Sequence, residues 1–246
     1  NNHYRVHDFF IKLERILNYF KENIKNYFSN YEIFNIFKSN KRILLFLIEQ
    51  QIIIFDESIA KKILTTDKYI ISDYPEYFQP EVQPFIKKKW FLTYKSKSCE
   101  LLKELIEELP PNFYEKRRIG ENSNELCELI RNDMVKEFIL YINKNNISHN
   151  AIIQPSIYET NSFLLKKYIK SVESQLRQQY YLTNDGCTLI EYAAFFGSIQ
   201  IFNYLKHKCA KLTPSLLLFA IHGQNAEMIQ FLEDNHLNSK GQFNIQ

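Results

Sequence analysis

The sequence predicts an all-α protein built from repeated helical hairpins. Apolar residues recur at helical spacing through much of the 246-residue chain, capping residues precede several of these runs, and only 5 glycines are present. A β-rich fold with many tight turns usually needs more glycine. The apolar share of 45% is enough for a sizeable core, so we expect an ordered, helical chain.

The stretch Thr188–Leu205, TLIEYAAFFGSIQIFNYL, predicts one complete hairpin. Thr188 and Glu191 have the spacing of a capping box and should begin a helix. Gly197 is suited to ending that helix, and the apolar residues from Ile199 onward repeat at helical spacing. Because two short helices cannot bury their apolar face alone, such hairpins are expected in stacked arrays.

Copies of this hairpin recur along the chain. The second-helix pattern has two apolar residues, any residue, an aromatic residue and then Leu or Ile, and it is found at Ile43–Leu47, Phe138–Ile142, Ile201–Leu205 and Met228–Leu232. In the first two copies a capping residue, Ser29 or Asn124, lies 18 positions before the last residue of the pattern, and in the third copy Thr188 lies 17 positions before it. In the last copy, Thr213 and Pro214 should begin a helix that ends near Gly223.

The segment Thr188–Gly197 resembles the T-P-L-H-x-A-A-x-x-G first helix of the ankyrin repeat, with Leu189 in place of Pro and Glu191 in place of His. In ankyrin repeats that His ties neighbouring repeats together by hydrogen bonds. The interval from Gly197 to Gly223 is shorter than the usual ankyrin period of about 33 residues. This difference implies a shortened β-turn finger.

The chain as a whole resembles a divergent ankyrin-type domain family of unknown function that is greatly expanded in certain parasitic protists. The segments that carry this resemblance are Tyr31–Leu47, Asn124–Ile142, SIYETNSFLLKKY and the region from Thr188 to Glu233. The resemblance implies an ankyrin-like helical-hairpin solenoid, and for function it implies protein binding.

We expect four regions. Residues 1–64 should form N-terminal ankyrin-like hairpins, and residues 65–120 a connector rich in proline and aromatic residues, with one amphipathic helix near 98–109. Residues 121–237 should form the ankyrin-like repeat region, and residues 238–246 a polar tail. Pro75, Pro80 and Pro84 exclude a continuous helix in the connector. Packing of the connector against the array is the favoured interpretation, and a peptide-binding patch is the alternative.

The sequence offers no catalytic or cofactor-binding constellation. Its 6 histidines are scattered, its 4 cysteines form no C-x-x-C pair, and no nucleotide-binding or hydrolase motif occurs. We therefore expect neither an enzyme nor a metal, cofactor or small-molecule site. The apolar runs are too short to cross a membrane, and cysteines this far apart are expected to be reduced thiols of a cytosolic chain.

One basic and aromatic cluster, Lys87, Lys88, Lys89 and Trp90, is a candidate contact for a polyanion. It supports the alternative function, a nucleic-acid-associated protein that uses Lys87–Lys97. The net charge of +3 is too small for a dedicated nucleic-acid binder. An ordinary solvated stretch is therefore the favoured interpretation.

In an ankyrin-like register the first helices line a concave face, and its side chains are the expected protein-binding site. The candidate residues are Ile33, Ile36, Phe37, Arg131, Tyr192, Phe195, Phe196, Leu218, Ile221 and His222. Contiguous exposed apolar side chains mark partner sites; the alternative is that these residues form the core. The expected function is a non-catalytic protein-interaction or scaffold protein, and the finer expectation is a fixed component of a cytoskeletal assembly.

Overall fold

The computed structural model describes residues 2–65, 74–86, 109–154, 156–161, 163–164, 187–212 and 215–234. Every regular element in these ranges is a helix, and extended pairing within them is limited to an antiparallel bridge between Ile152 and Thr188. The predicted all-α class is therefore confirmed for the described part of the chain. Lys87, Lys88, Lys89 and Trp90, most of the helix expected near 98–109, Thr213, Pro214 and the tail 238–246 lie outside these ranges.

The described helices, in chain order, are α1 Asn2–Tyr19, α2 Lys21–Tyr27, α3 Asn30–Phe37, α4 Lys41–Glu49, α5 Glu57–Thr65, α6 Tyr74–Tyr77, α7 Gln79–Ile86, α8 Phe113–Ile119, α9 Glu125–Arg131, α10 Val135–Lys144, α11 Leu189–Phe196, α12 Ile199–His207, α13 Leu216–His222 and α14 Ala226–Asp234. None of them is both long enough and apolar enough to cross a bilayer.

The chain divides into two compact units. The N-terminal unit comprises Phe10–Glu121 and Ser156–Ile169, and the C-terminal unit comprises Asn1–Phe9, Asn122–Pro155 and Lys170–Gln246. The described residues of the expected connector region, 74–86 and 109–120, therefore belong to the same unit as residues 10–64.

In the N-terminal unit, α3 and α4 form the hairpin that the sequence predicts. The backbone N–H of Ser29 donates to the Glu32 carboxylate (2.8 Å), and the backbone N–H of Glu32 donates to the Ser29 hydroxyl oxygen (3.4 Å). These two bonds make the expected capping box at the start of α3. The side chain of Asn40 accepts from the backbone N–H of Ile43 (3.1 Å) and caps α4. The apolar faces of both helices join one core, which includes the fully buried Phe34.

The proline-rich connector forms two short helices that are part of this core. No continuous helix runs through it, because α6 ends at Tyr77 and α7 begins at Gln79. Pro75 and Pro80 lie in first turns, where a missing N–H is tolerated. Tyr74, Tyr77 and Phe78 are at most 2% exposed. The expected packing against the hairpin is therefore observed for these three rings, and they are not available as a peptide-binding patch.

A largely buried ion pair joins α7 to α8. Both terminal nitrogens of Arg117 donate to the Glu81 carboxylate, at 2.7 and 2.9 Å, and the guanidinium group lies 5.8 Å from the centre of the Tyr77 ring. Burial raises the pKa of Tyr77 well above its usual value. The charge of Arg117 is paired with Glu81, and the guanidinium group also donates to the backbone carbonyl oxygen of Tyr77 (3.2 Å), which assigns Arg117 a structural role.

The C-terminal unit contains three hairpins, α9–α10, α11–α12 and α13–α14. Asn124 caps α9 by accepting from the backbone N–H of Leu126 (2.9 Å), and Thr188 and Glu191 form the predicted capping box of α11. The first helices pack side by side in the order α9, α11, α13, and α10 packs against α12. The middle helix α11 is buried on nearly all sides, as its apolar sequence requires.

Candidate protein-binding surface

Three residues with left-handed backbone conformation mark the same position in the three hairpins of the C-terminal unit. Asp133 (φ 52°), Gly197 (φ 72°) and Gln224 (φ 53°) each lie between the first and second helix. Gly223 has a right-handed φ of −73°. The residue equivalent to Gly197 is therefore Gln224, and the expected equivalence of Gly223 and Gly197 is wrong by one position.

Arg131 connects the first hairpin to the second. Its Nη1 donates to the hydroxyl oxygen of Tyr192 (3.0 Å) and to the carbonyl oxygen of Asn122 (2.8 Å). The guanidinium carbon lies 5.9 Å from the centre of the Phe196 ring, and that ring lies 4.7 Å from the Tyr192 ring. Three of the predicted site residues, Arg131, Tyr192 and Phe196, are therefore brought together where the two hairpins meet.

The turns between helices add further bonds at this junction. The Asp133 carboxylate accepts from the backbone N–H groups of Gln200 (3.0 Å) and Ile201 (2.9 Å) in the first turn of α12. The Ser198 hydroxyl donates to the carbonyl oxygen of Ile130 at the end of α9. A carboxylate at a helix N-terminus satisfies N–H groups that have no partner within the helix. The first hairpin therefore supplies the cap of a helix in the second.

The second and third hairpins meet through a buried carboxylate and a glycine. The Ser215 hydroxyl donates to Glu191, which is 1% exposed. A Cβ atom at Gly223 would lie 1.9 Å from the carbonyl oxygen of Phe195, so only glycine allows this close approach of α13 to α11. No sequence pattern had indicated Ser215 as a contact residue.

The structure buries three of the predicted site residues. Ile33 and Tyr192 are each 2% exposed and Phe195 is 5% exposed. The expectation that they face a partner is wrong for this conformation. Tyr192 and Phe195 are covered because α11 lies between two other first helices, and Ile33 points into the core of the N-terminal unit.

The other described candidates retain access to solvent. Phe37, Arg131 and Phe196 are half-buried, and His222 is exposed. Ile36 is 57% exposed, Leu218 47% and Ile221 50%. Arg131, Phe196, Leu218, Ile221 and His222 lie on the first helices of the C-terminal unit, whereas Ile36 and Phe37 belong to the N-terminal unit.

A set of exposed aromatic residues, here called the aromatic segment, was missed by sequence reasoning. Its members are Tyr19, Phe20, Tyr27, Phe28 and Tyr31; Tyr19 is 81% exposed and Tyr27 80%. Tyr19 and Tyr27 are the last residues of α1 and α2, Phe20 and Phe28 follow them outside these helices, and Tyr31 lies in the first turn of α3. The buried stripe of α1 contains Leu17, with Leu13 packed against the same core. Because each pair lies at a helix end, it does not continue a buried helical stripe. The pairs Tyr19–Phe20 and Tyr27–Phe28 were the signal that could have identified this segment.

The described residues offer little that is typical of a reaction centre. They contain no group of three His, Cys, Asp or Glu side chains placed to hold a metal ion. The most buried carboxylate, Glu191, accepts hydrogen bonds from Thr188 and Ser215, which assigns it a structural role. Cys127 and Cys187 are buried thiols.

Comparisons of the chain with protein-family models, with curated proteins and with solved structures found no match.

Proposed function

We propose that this chain is a non-catalytic protein-interaction protein that works as a scaffold. The observation that carries the proposal is the aromatic segment, which places five solvent-exposed aromatic side chains in the short stretch from Tyr19 to Tyr31. Large aromatic side chains contribute most of the binding energy at protein–protein interfaces. Leaving so many of them in water is unfavourable unless a partner covers them.

The finer proposal is an ankyrin-type array in the C-terminal unit. It is supported by the capping box at Thr188, by the left-handed Gly197 and by Ala193 and Ala194, which are fully buried between helices. The bridge between Ile152 and Thr188 is consistent with a shortened β-turn finger. Arrays of this kind present extended surfaces for partner proteins.

We also propose that the protein acts in the cytoplasm, as a fixed component of a cytoskeletal assembly. The exposed free thiol of Cys209 suits a reducing compartment. Co-purification with the assembly at high salt would favour a fixed component, because apolar contacts resist salt whereas surface ion pairs are screened. Recovery of the protein as a free monomer from lysate would contradict this finer proposal.

Affinity capture with a double variant tests the main proposal. Tyr27→Ser with Phe28→Ser removes two exposed rings, so stability should change by no more than about 0.5 kcal/mol. Captured partner proteins should fall at least tenfold. Tyr114→Ser is the matched control, since Tyr114 is 60% exposed on α8 of the same unit, and it should leave capture unchanged. If the wild-type chain captures no protein above background, the proposal fails.

The nucleic-acid alternative depends on Lys87–Lys97, and nothing in the described residues favours it. A titration of RNA or DNA binding against salt separates the two functions, because binding through phosphate contacts is strong at low salt and falls steeply as salt rises. We expect no affinity at low salt. Binding that weakens with salt and is lost when Lys87, Lys88 and Lys89 are replaced by Gln would favour the alternative.

A further inference from the structure

On α9 and on α11, the side that meets the next hairpin includes three equivalent positions, here called the stacking face. On α9 these positions are Cys127, Ile130 and Arg131; on α11 they are Glu191, Ala194 and Phe195. The stacking face of α9 contacts Tyr192 and Ser198 of the second hairpin through Arg131 and Ile130. The stacking face of α11 contacts Ser215 and Gly223 through Glu191 and Phe195. Equivalent positions therefore lie at the contact between the first and second hairpins and at the contact between the second and third.

The equivalent positions on α13, in the register set by Gly197 and Gln224, are Leu218, Ile221 and His222. Where a hairpin covers the stacking face, most of its side chains are buried: Ile130 and Ala194 are fully buried and Glu191 is 1% exposed, whereas Arg131 is half-buried. On α13, Leu218 is 47% and Ile221 50% exposed. The opposite side of α13, with Phe219 and Ala220, is fully buried. Thus α13 presents an open stacking face that is apolar at two of its three positions.

We propose that the stacking face of α13 docks a helical hairpin of a partner protein, which continues the series α9, α11, α13. This inference rests on the proposed function and names the kind of partner that one surface accepts. The new contact would be continuous with the existing one between α11 and α13 and would use the same positions. Covering the exposed Leu218 and Ile221 with apolar side chains would be favourable.

The side chains on the stacking face of α13 determine which residues the partner helix should present. Leu218 occupies the position of Glu191, so the incoming helix meets an apolar side chain instead of a carboxylate. The helix that docks on α11 presents Phe219 at its centre and Gly223 at its end. The partner should therefore present an aromatic or aliphatic residue at the equivalent central position and a small residue four positions later, as in this existing junction.

A second copy of the chain fits this surface poorly. The receiving surface of a copy would be the other side of α9, where the positions equivalent to Tyr192 and Phe196 are Glu128 and Asn132. Both are exposed and polar. Stacking a copy there would place Leu218 and Ile221 against the polar side chains of Glu128 and Asn132. These polar side chains would leave water without gaining a hydrogen-bond partner from Leu218 or Ile221. A helical hairpin from another protein avoids this mismatch.

Site-specific photocrosslinking of the full chain in its own cells tests the inference. A benzophenone side chain is placed at position 218 and, as the matched control, at position 140, since Leu140 is 70% exposed on α10. We expect position 218 to give a product with a different protein, at a yield at least tenfold above that from position 140. The crosslinked peptide, identified by mass spectrometry, should carry apolar residues at helical spacing. The double variant Leu218→Asp with Ile221→Asp should reduce capture of that protein at least tenfold without lowering the melting temperature, whereas Leu140→Asp should not reduce it.

Several outcomes would overturn the inference: no product at position 218, a product of two copies of this chain, a crosslink to another part of the same chain, or a partner peptide that lacks helical periodicity. Two results separate this inference from the proposed function. If partner capture depends on Tyr27 and Phe28 and the Asp variants leave it unchanged, the inference fails alone. If the wild-type chain captures no partner, both fail.

Discussion

Ser215 donates its hydroxyl hydrogen to a carboxylate oxygen of Glu191, which lies 24 residues earlier in the chain. The same carboxylate accepts from the backbone N–H (3.0 Å) and the hydroxyl (3.1 Å) of Thr188. One buried side chain thus completes the capping box of α11 and joins it to the start of α13. In the ankyrin-type register that we propose, Glu191 takes the position of the His that ties neighbouring repeats, and its carboxylate would make that link.

Replacing Glu191 by Ala should destabilise the C-terminal unit. The change leaves a buried N–H and two hydroxyl groups without their acceptor, and each such loss is unfavourable. We expect the free energy of unfolding to fall by about 1–3 kcal/mol, measured by urea denaturation. Glu191→Gln keeps one carbonyl acceptor and should cost less. Equal stability of the wild-type protein and Glu191→Ala would show that this link does not contribute.

Substitutions at two neighbouring residues, in the turn between α13 and α14, should change the free energy of unfolding in opposite directions. Gly223→Ala places a methyl group against the carbonyl oxygen of Phe195, where a Cβ atom would lie at 1.9 Å, and should cost about 1–3 kcal/mol because α13 must move away from α11. Gln224→Gly relieves a left-handed φ of 53° and should stabilise by up to about 1 kcal/mol. Thermal unfolding of both variants measures these changes. A neutral Gly223→Ala would contradict the close approach of the two helices.

Enlarging either of two buried alanines should disturb the packing between hairpins. Ala194 and Ala220 are fully buried on α11 and α13. Ala194→Leu or Ala220→Leu should cost about 1–3 kcal/mol through overpacking, measured by urea denaturation. Leu140→Ala, at an exposed position on α10, should change stability by no more than about 0.5 kcal/mol. If the alanine variants are as stable as this control, the first helices are not closely packed.

The N-terminal unit should lose stability in acid through Asp56. Burial by itself raises the pKa of Asp56, but hydrogen bonds from Ser58, Ile59 and Asn30 outweigh it and hold the pKa below the ordinary value of 3.8. A lowered carboxyl pKa contributes stability above pH 3.8, and this contribution is lost as the pH falls through the folded-state pKa.

Asp56→Asn tests this contribution, because the amide oxygen still accepts from the backbone N–H of Ile59 but does not titrate in this range. The variant should be less stable at neutral pH, and its stability should fall less between neutral pH and about pH 3. Urea denaturation across this pH range measures the difference. Parallel pH profiles for the variant and the wild-type protein would exclude Asp56 as the source.

Helix starts were predictable from the sequence because a cap is a local interaction. Ser29 and Thr188 each bond to a residue three positions away, and the pattern of types at that spacing is visible without a structure. Burial at Tyr192 was not predictable in this way. It depends on Arg131, 61 residues earlier, and on a neighbouring helix that the sequence pattern of α11 does not specify.

Phe196 shows how the structure changes an expectation for a candidate site residue. From the sequence, Phe196→Ser should leave the fold intact and weaken partner capture. In the structure the Phe196 ring contacts Tyr192 (4.7 Å between ring centres), Phe195 (4.9 Å) and the Arg131 guanidinium. The substitution should therefore reduce stability as well, and it is a poor choice for separating binding from folding. Leu218 and Ile221 are better positions for that purpose.

Asp133 makes the second hairpin depend on the first for its hydrogen bonding. The backbone N–H groups of Gln200 and Ile201 are bonded to its carboxylate, across 67 and 68 residues of chain. Their protons exchange with solvent only when that carboxylate moves away, so their exchange rates measure how often the two hairpins separate. The exchange rates of these two amide protons thus measure separation of the first and second hairpins while the rest of the molecule stays folded.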